Sequence, residues 1–137
     1  MSELSWNAIK RLVYQRARGC CEYCKTCEAN TGQAMHIEHI NPTGGDGIEN
    51  LCLACSNCNL SKSDVIEAHD DETETLVPLF NPRKQSWDDN FEWIDEGLRL
   101  KRLTATGRAT ITRLKMNQDR VIVARRRWIM GGFHPPT

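Results

Sequence analysis

An α+β fold held together by a metal is what the 137-residue sequence predicts, and three observations carry that expectation. Two Cys-x-x-Cys pairs, Cys21/Cys24 and Cys55/Cys58, bracket a segment patterned as strand, turn-rich loop and strand, and a helical pattern follows the second pair. A helical stretch precedes the first pair. A hairpin and two further helices follow the second. With 39% hydrophobic residues, a chain of this length can bury one core.

Each element has a local reason. From Ser5 to Arg16 the apolar residues fall near helical spacing, Ser5 can cap the first turn, and Gly19 stops the helix. Met35 to Ile40 reads as a short strand, Asn41 to Gly47 as a loop, Asn50 to Ala54 as a second strand, and Asn59 to about His69 as a helix. Asp70 to Glu74 is expected as an exposed acidic link, and the prolines at 78 and 82 keep Val77 to Arg83 extended. Phe91 to Ile94 and Leu98 to Leu103 flank Asp95-Glu96-Gly97 as a hairpin, with Trp87, Phe91 and Trp93 in a small core. Thr106 can cap a helix to about Asn117, and Asp119 another through Met130. Arg125-Arg126-Arg127 spans most of a turn there, so at least one arginine must face the protein. The expected division is residues 1–70, the stapled core with its N-terminal helix, and residues 71–137, an extension packed on it.

Composition narrows the function classes. The sequence has neither an apolar run of about 18 residues nor a secretory leader, which predicts a soluble protein with no membrane partner. Seven cysteines, clustered in two short groups, favour metal over a disulfide framework. Thiolates available to a metal point to a reducing, cytoplasmic setting. Formal net charge is zero, yet Asp64 to Glu96 holds eleven acids against two bases, and Arg99 to Arg127 ten bases against one acid. The basic half can hold phosphates locally, or both halves can simply be solvated faces.

Two residues between paired cysteines let one tight turn aim both sulfurs at a single ion, so Cys21, Cys24, Cys55 and Cys58 predict a structural zinc. Cys24/Cys27 and Cys52/Cys55 share the spacing, but Leu51 to Leu53 reads as strand, which favours the first set. Cys20, Cys27 and Cys52 are then small apolar side chains or spare thiols. Four thiolates leave such a zinc no open position for chemistry.

Between the pairs lie groups suited to phosphodiester hydrolysis, which needs a base, a cation and something to hold the base in place. Glu38, His39, Asn50 and Asn59 supply all three. Hard oxygen donors at Glu38 and Asn59 suit magnesium or manganese, and soft sulfur nearby suits zinc. Lys62, one turn beyond Asn59, together with Arg16 and Arg18, is placed to approach a phosphate. His36 shares a strand face with Glu38 and is expected outside the metal's direct contacts.

From about Arg16 to Lys62, the succession Cys-x-x-Cys, Glu-His-Ile, Pro42, Gly44-Gly45, Asn50-Leu51, Cys-x-x-Cys-Asn and Lys62 resembles the HNH endonuclease family in its zinc-stapled type, and the segments Val77 to Arg83, Thr104 to Thr110 and His134 to Pro136 resemble the tail of its stand-alone bacterial members. The resemblance implies a ββα-metal core and His39 as general base. It also implies Asn50 as the residue fixing the loop, and Glu38 with Asn59 as ligands of a catalytic magnesium or manganese. Asn59 stands where many members carry His, and Glu38 where Asp or His is commoner. The implied substrate and partner is DNA, nicked or cut through both strands, with no small-molecule cofactor and the oligomeric state left open. Two other classes compete: a zinc-stapled nucleic-acid-binding module without cleavage, and a zinc-held protein-interaction domain.

Overall fold

Ser5 Oγ accepts the Ala8 amide at 3.2 Å and opens α1 (Trp6–Ala17), which Arg18 ends in a left-handed cap. The computed structural model describes residues 4–137. A short helix, α2 (Glu28–Thr31), leads into β1 (His36–His39), which pairs antiparallel with β2 (Leu51–Ala54), His39 facing Leu51 and Glu38 facing Cys52. Cys55 then caps α3 (Ser56–Lys62). The order predicted between the cysteine pairs is therefore present, and β2, buried at every residue, lies under α1.

Three expectations are corrected beyond this point. The helix expected to reach His69 stops at Lys62, because Ser63 takes a positive φ of 55°, and Glu67–Asp70 is instead strand β3. It pairs with β4 (Thr75–Pro78), so the hairpin runs across position 70. Asp70 is not an exposed link residue but is fully buried, receiving Thr73 Oγ1 at 2.6 Å and a two-pronged contact from Arg108 at 2.7 and 3.0 Å. The acidic tip is a turn organised around one carboxylate.

Next come α4 (Trp87–Asn90), β5 (Phe91–Ile94) and β6 (Arg99–Arg102), the last two forming the predicted hairpin around a 3-10 turn at Asp95–Gly97. Thr104, not Thr106, caps α5 (Ala105–Arg113), accepting the Gly107 amide at 2.9 Å. Gln118 precedes α6 (Asp119–Met130). The architecture is α+β: three separate antiparallel strand pairs among helices. One hydrophobic cluster runs from Val13 through Leu53 to Phe80, Leu100 and Met116, so both halves of the chain share a core. Trp87 lies 5.3 Å from Phe91 and 5.8 Å from Trp93, as the aromatic spacing predicted. No helix among the described residues is long and apolar enough to cross a membrane.

Of the three consecutive arginines, Arg125 is the buried one, at 0% exposure. It meets no carboxylate among the described residues. Its guanidinium donates to Leu98 O at 3.0 Å and Met116 O at 2.7 Å and lies 5.2 Å from the Trp93 ring. Arg126 and Arg127 stay exposed.

The Arg108 contact, then Thr73, holds the Asp70 carboxyl below its ordinary 3.8. A depressed folded-state value means that the ionised carboxylate favours the fold, so its contribution is full above the unfolded value and is lost as pH falls through the folded one. Urea midpoints of the native protein and Asp70→Asn are expected to differ at neutral pH and to converge on acidification below about pH 4. A constant gap down to acid pH is the contrary result.

Candidate metal centre and active site

Cys21 and Cys24 follow α1 by a few residues, Cys55 and Cys58 begin α3, and β2 between them brings the two turns together. All four sulfurs are buried and lie within 4.8 Å of one another. The backbone amides of Cys24 and Cys58 point at Cys21 Sγ and Cys55 Sγ, each at 3.5 Å, so each turn supports its own first sulfur. Burial pushes the Cys21 thiol well up, while hydrogen bonds from Cys21, Cys55 and Cys58 hold Cys24 well down. Four thiolates crowded into one dry pocket repel one another, and a divalent ion of soft preference is the group that stabilises all four. Donor type, number and enclosure fit a structural zinc.

The spare cysteines need correction. Cys20 and Cys27 are not small free thiols: they form a disulfide across an isolated antiparallel bridge, closing the loop that carries Cys21 and Cys24. Cys27 is thereby removed as an alternative ligand. Cys52 remains a buried thiol, and desolvation, then the nearby Glu38 charge, pushes it up and keeps it protonated.

His39 ends β1 half-exposed, and its Nε2 lies 2.7 Å from Asp46 Oδ1. Asp46 itself is 80% exposed, on the loop between the strands. That loop owes its shape to Asn50, whose amide donates to Asn41 O at 2.8 Å and Gly45 O at 2.9 Å while its oxygen accepts the Asn41 amide at 3.0 Å. Gly44 is obligatory beside it, since a Cβ there would lie 2.8 Å from Asn50 Nδ2, and Gly45 takes a φ of +83°. Arg16 closes the far end by donating to Ile48 O at 2.8 Å and to Leu51 O. Its guanidinium is therefore engaged with carbonyls and does not stand free for a phosphate. Arg18 is exposed at the end of α1.

Glu38 points the other way from His39, as neighbours on a strand must. It is buried, with Tyr23 OH donating to Oε2 at 2.9 Å and Cys52 Sγ 3.4 Å from the same oxygen. Oε1 accepts no hydrogen bond of good geometry and lies 2.9 Å from Lys62 Nζ. Lys62 is 1% exposed and also donates to Ile40 O at 3.1 Å. The expectation that Lys62 meets a phosphate is corrected: β1 covers it, and its charge is matched by Glu38. Asn59 is half-buried on α3, one turn before Lys62. A carboxylate and a carboxamide are donor types that suit a hard cation, and Glu38 Oε1, without a hydrogen bond of good geometry, is met by the Lys62 ammonium. His36 is exposed and bonds Ser56 Oγ at 3.1 Å.

Residues 21–64 match the family model of HNH endonucleases. Over this segment the chain is similar to that family. No curated protein and no solved structure matches the chain. Within this segment, Asp46 stands beside His39 although the motif reading did not single it out. Its signal was an acid between two glycines, seven positions after the histidine, which becomes meaningful only once the loop is folded back. Tyr23 was equally hidden, lying between two cysteines.

Two measurements check this geometry. One zinc per chain is expected, and a chelator or Cys58→Ser is expected to abolish cooperative unfolding seen by far-UV circular dichroism, whereas a metal-free chain that stays folded would oppose it. Lys62→Met, which leaves Glu38 buried without its partner, is expected to lower stability by about 3 kcal/mol or more in urea unfolding. Adding Glu38→Gln is expected to recover much of that loss, and strict additivity would contradict the pairing.

Proposed function

We propose that this chain is a metal-dependent HNH endonuclease that hydrolyses DNA phosphodiester bonds, built on a ββα-metal core of β1, β2 and α3. The observation that carries the reading is the His39–Asp46 pair at 2.7 Å on a loop held by Asn50. A carboxylate at Nε2 keeps the proton on that nitrogen and leaves the lone pair on Nδ1. His39 Nδ1 then takes a proton from water, the water oxygen bonds to phosphorus, and the bond from phosphorus to the 3′-oxygen breaks. The departing oxygen is protonated to a 3′-hydroxyl, and the other product carries a 5′-phosphate. Asp46 steadies the imidazolium formed in the first step.

Glu38, on exchanging Lys62 for the ion, would hold magnesium or manganese together with Asn59, and the ion would neutralise charge on the phosphate and departing oxygen. Structural zinc at Cys21, Cys24, Cys55 and Cys58 would keep β1 and α3 in register. Arg18, with Arg126 and Arg127, offers exposed positive charge for the DNA backbone. For location we propose the cytoplasm, where free thiols such as Cys52 persist and DNA is at hand. The Cys20–Cys27 disulfide is the feature that an oxidising compartment would explain instead.

A second reading, a zinc-stapled nucleic-acid-binding module without cleavage, draws on the Lys62–Glu38 ion pair, which already supplies the carboxylate with a cation. Plasmid nicking in magnesium or manganese separates the two. The native chain is expected to nick, and His39→Ala, with zinc content unchanged, to lose at least about a hundredfold in rate. Asp46→Ala is expected to lose about tenfold or more, chiefly in kcat. DNA retained but never cut, or cut equally well by His39→Ala, favours the second reading.

A further inference from the structure

Immediately after His39, the chain enters a cleft of about 500 Å³ between the HNH-like segment and the extension, within the volume range of small-ligand sites. Ile40, Leu79 and Phe80 contribute its apolar surface. Three carboxamides share the lining: Asn41 from the HNH loop, and Asn81 and Gln85 from the turn after β4. Backbone amides settle how each is oriented, because a backbone N–H can bond only to the oxygen of a carboxamide. Asn41 Oδ1 accepts the Thr43 amide at 3.0 Å. Asn81 Oδ1 accepts the Arg83 amide at 2.9 Å, and Gln85 Oε1 the Asn81 amide at 2.9 Å.

All three oxygens are thus engaged in holding the backbone, and all three NH₂ groups are left without a partner among the described residues. Lys84, also on the lining, adds an exposed ammonium with no ion pair among the described residues. The side-chain groups left without a partner on this lining are therefore donors. Among the described residues, Glu67 is the single carboxylate on it.

We propose that this cleft takes one unstacked keto nucleobase, guanine or thymine, of the strand being cut. The proposal rests on the nuclease reading for its biological setting and on the cleft itself for its chemistry. Guanine O6 and thymine O4 are acceptors beside an imino N–H, whereas adenine and cytosine carry an amino group at the corresponding position. The amide donors match the keto oxygen, and Glu67 can accept the imino proton. An amino group there would set donor against donor, and apolar side chains on the lining accept the face of the base. Lys84 can meet the nucleotide's own phosphate. The extension, which carries no part of the HNH motif, would then select the nucleotide beside the scissile bond.

Nitrogen-15-labelled full-length, zinc-loaded protein, titrated with dGMP, TMP, dAMP and dCMP and followed at the side-chain amide resonances of Asn41, Asn81 and Gln85, tests this. Binding of dGMP and TMP is expected to be about tenfold tighter than that of dAMP and dCMP. Asn81→Asp with Gln85→Glu keeps the oxygens that hold the turn and removes two donors, so this variant is expected to reverse the preference toward dAMP and dCMP. Equal binding of all four nucleotides, no movement of these resonances, or an unchanged preference in the folded variant overturns the proposal. No strand is cut in the titration. A null result beside intact plasmid nicking removes the base site alone, and selective binding without nicking removes the nuclease reading alone.

Discussion

The convergence of two cysteine turns, thirty residues apart in sequence, on one buried point is the constraint from which the rest of the structure follows. Four sulfurs in a dry pocket are tolerated as neutral thiols, but as thiolates they need a cation between them, and their mutual approach makes this pocket fit one. Once joined, the end of α1 and the start of α3 are fixed against each other through β2. That leaves β1 only one place to lie. The positions of His39 and Glu38, on opposite faces of a four-residue strand, follow from this convergence together with the register of β1 on β2.

The two faces of β1 carry different chemistry for a simple reason of exposure. His39 emerges toward a loop that glycines make tight and Asn50 makes rigid, and the loop returns an exposed carboxylate to the imidazole. Glu38 turns inward among Tyr23, Cys52 and Lys62, where a lone charge would be costly and a paired one is tolerated. A strand only four residues long thus separates a solvent-facing base from a sequestered anion.

The extension is attached by polar groups at several separate points. Arg83 pairs with Glu22 beside the first cysteine turn, and the Trp87 indole donates to Tyr23 O at 2.8 Å. Asn57 of α3 donates to Leu114 O at 2.9 Å and accepts from Gln118. Buried Arg125 ties α6 to the carbonyls of Leu98 and Met116. These contacts fix orientation, while the shared apolar cluster supplies most of the driving force. The acidic run expected to be an inert link does similar work, since Asp70 anchors its hairpin to α5 through Arg108.

Local pattern alone determined much of this protein: the helix capped by Ser5, the paired strands around the glycine loop, the hairpin at Asp95–Gly97, the four clustered cysteines and the place of His39 at the end of the first strand. Cysteine spacing, strand alternation and turn residues act over a few positions, so these features are readable without a fold. Tertiary structure alone decided what depends on distant neighbours. It buried Lys62 against Glu38, engaged Arg16 with loop carbonyls, joined Cys20 to Cys27, brought Asp46 to His39 and drew Asp70 into the interior. Each is a charge or thiol whose residue type is equally at home on a surface, and only the approach of another segment, with the loss of water that follows, tells which role it takes.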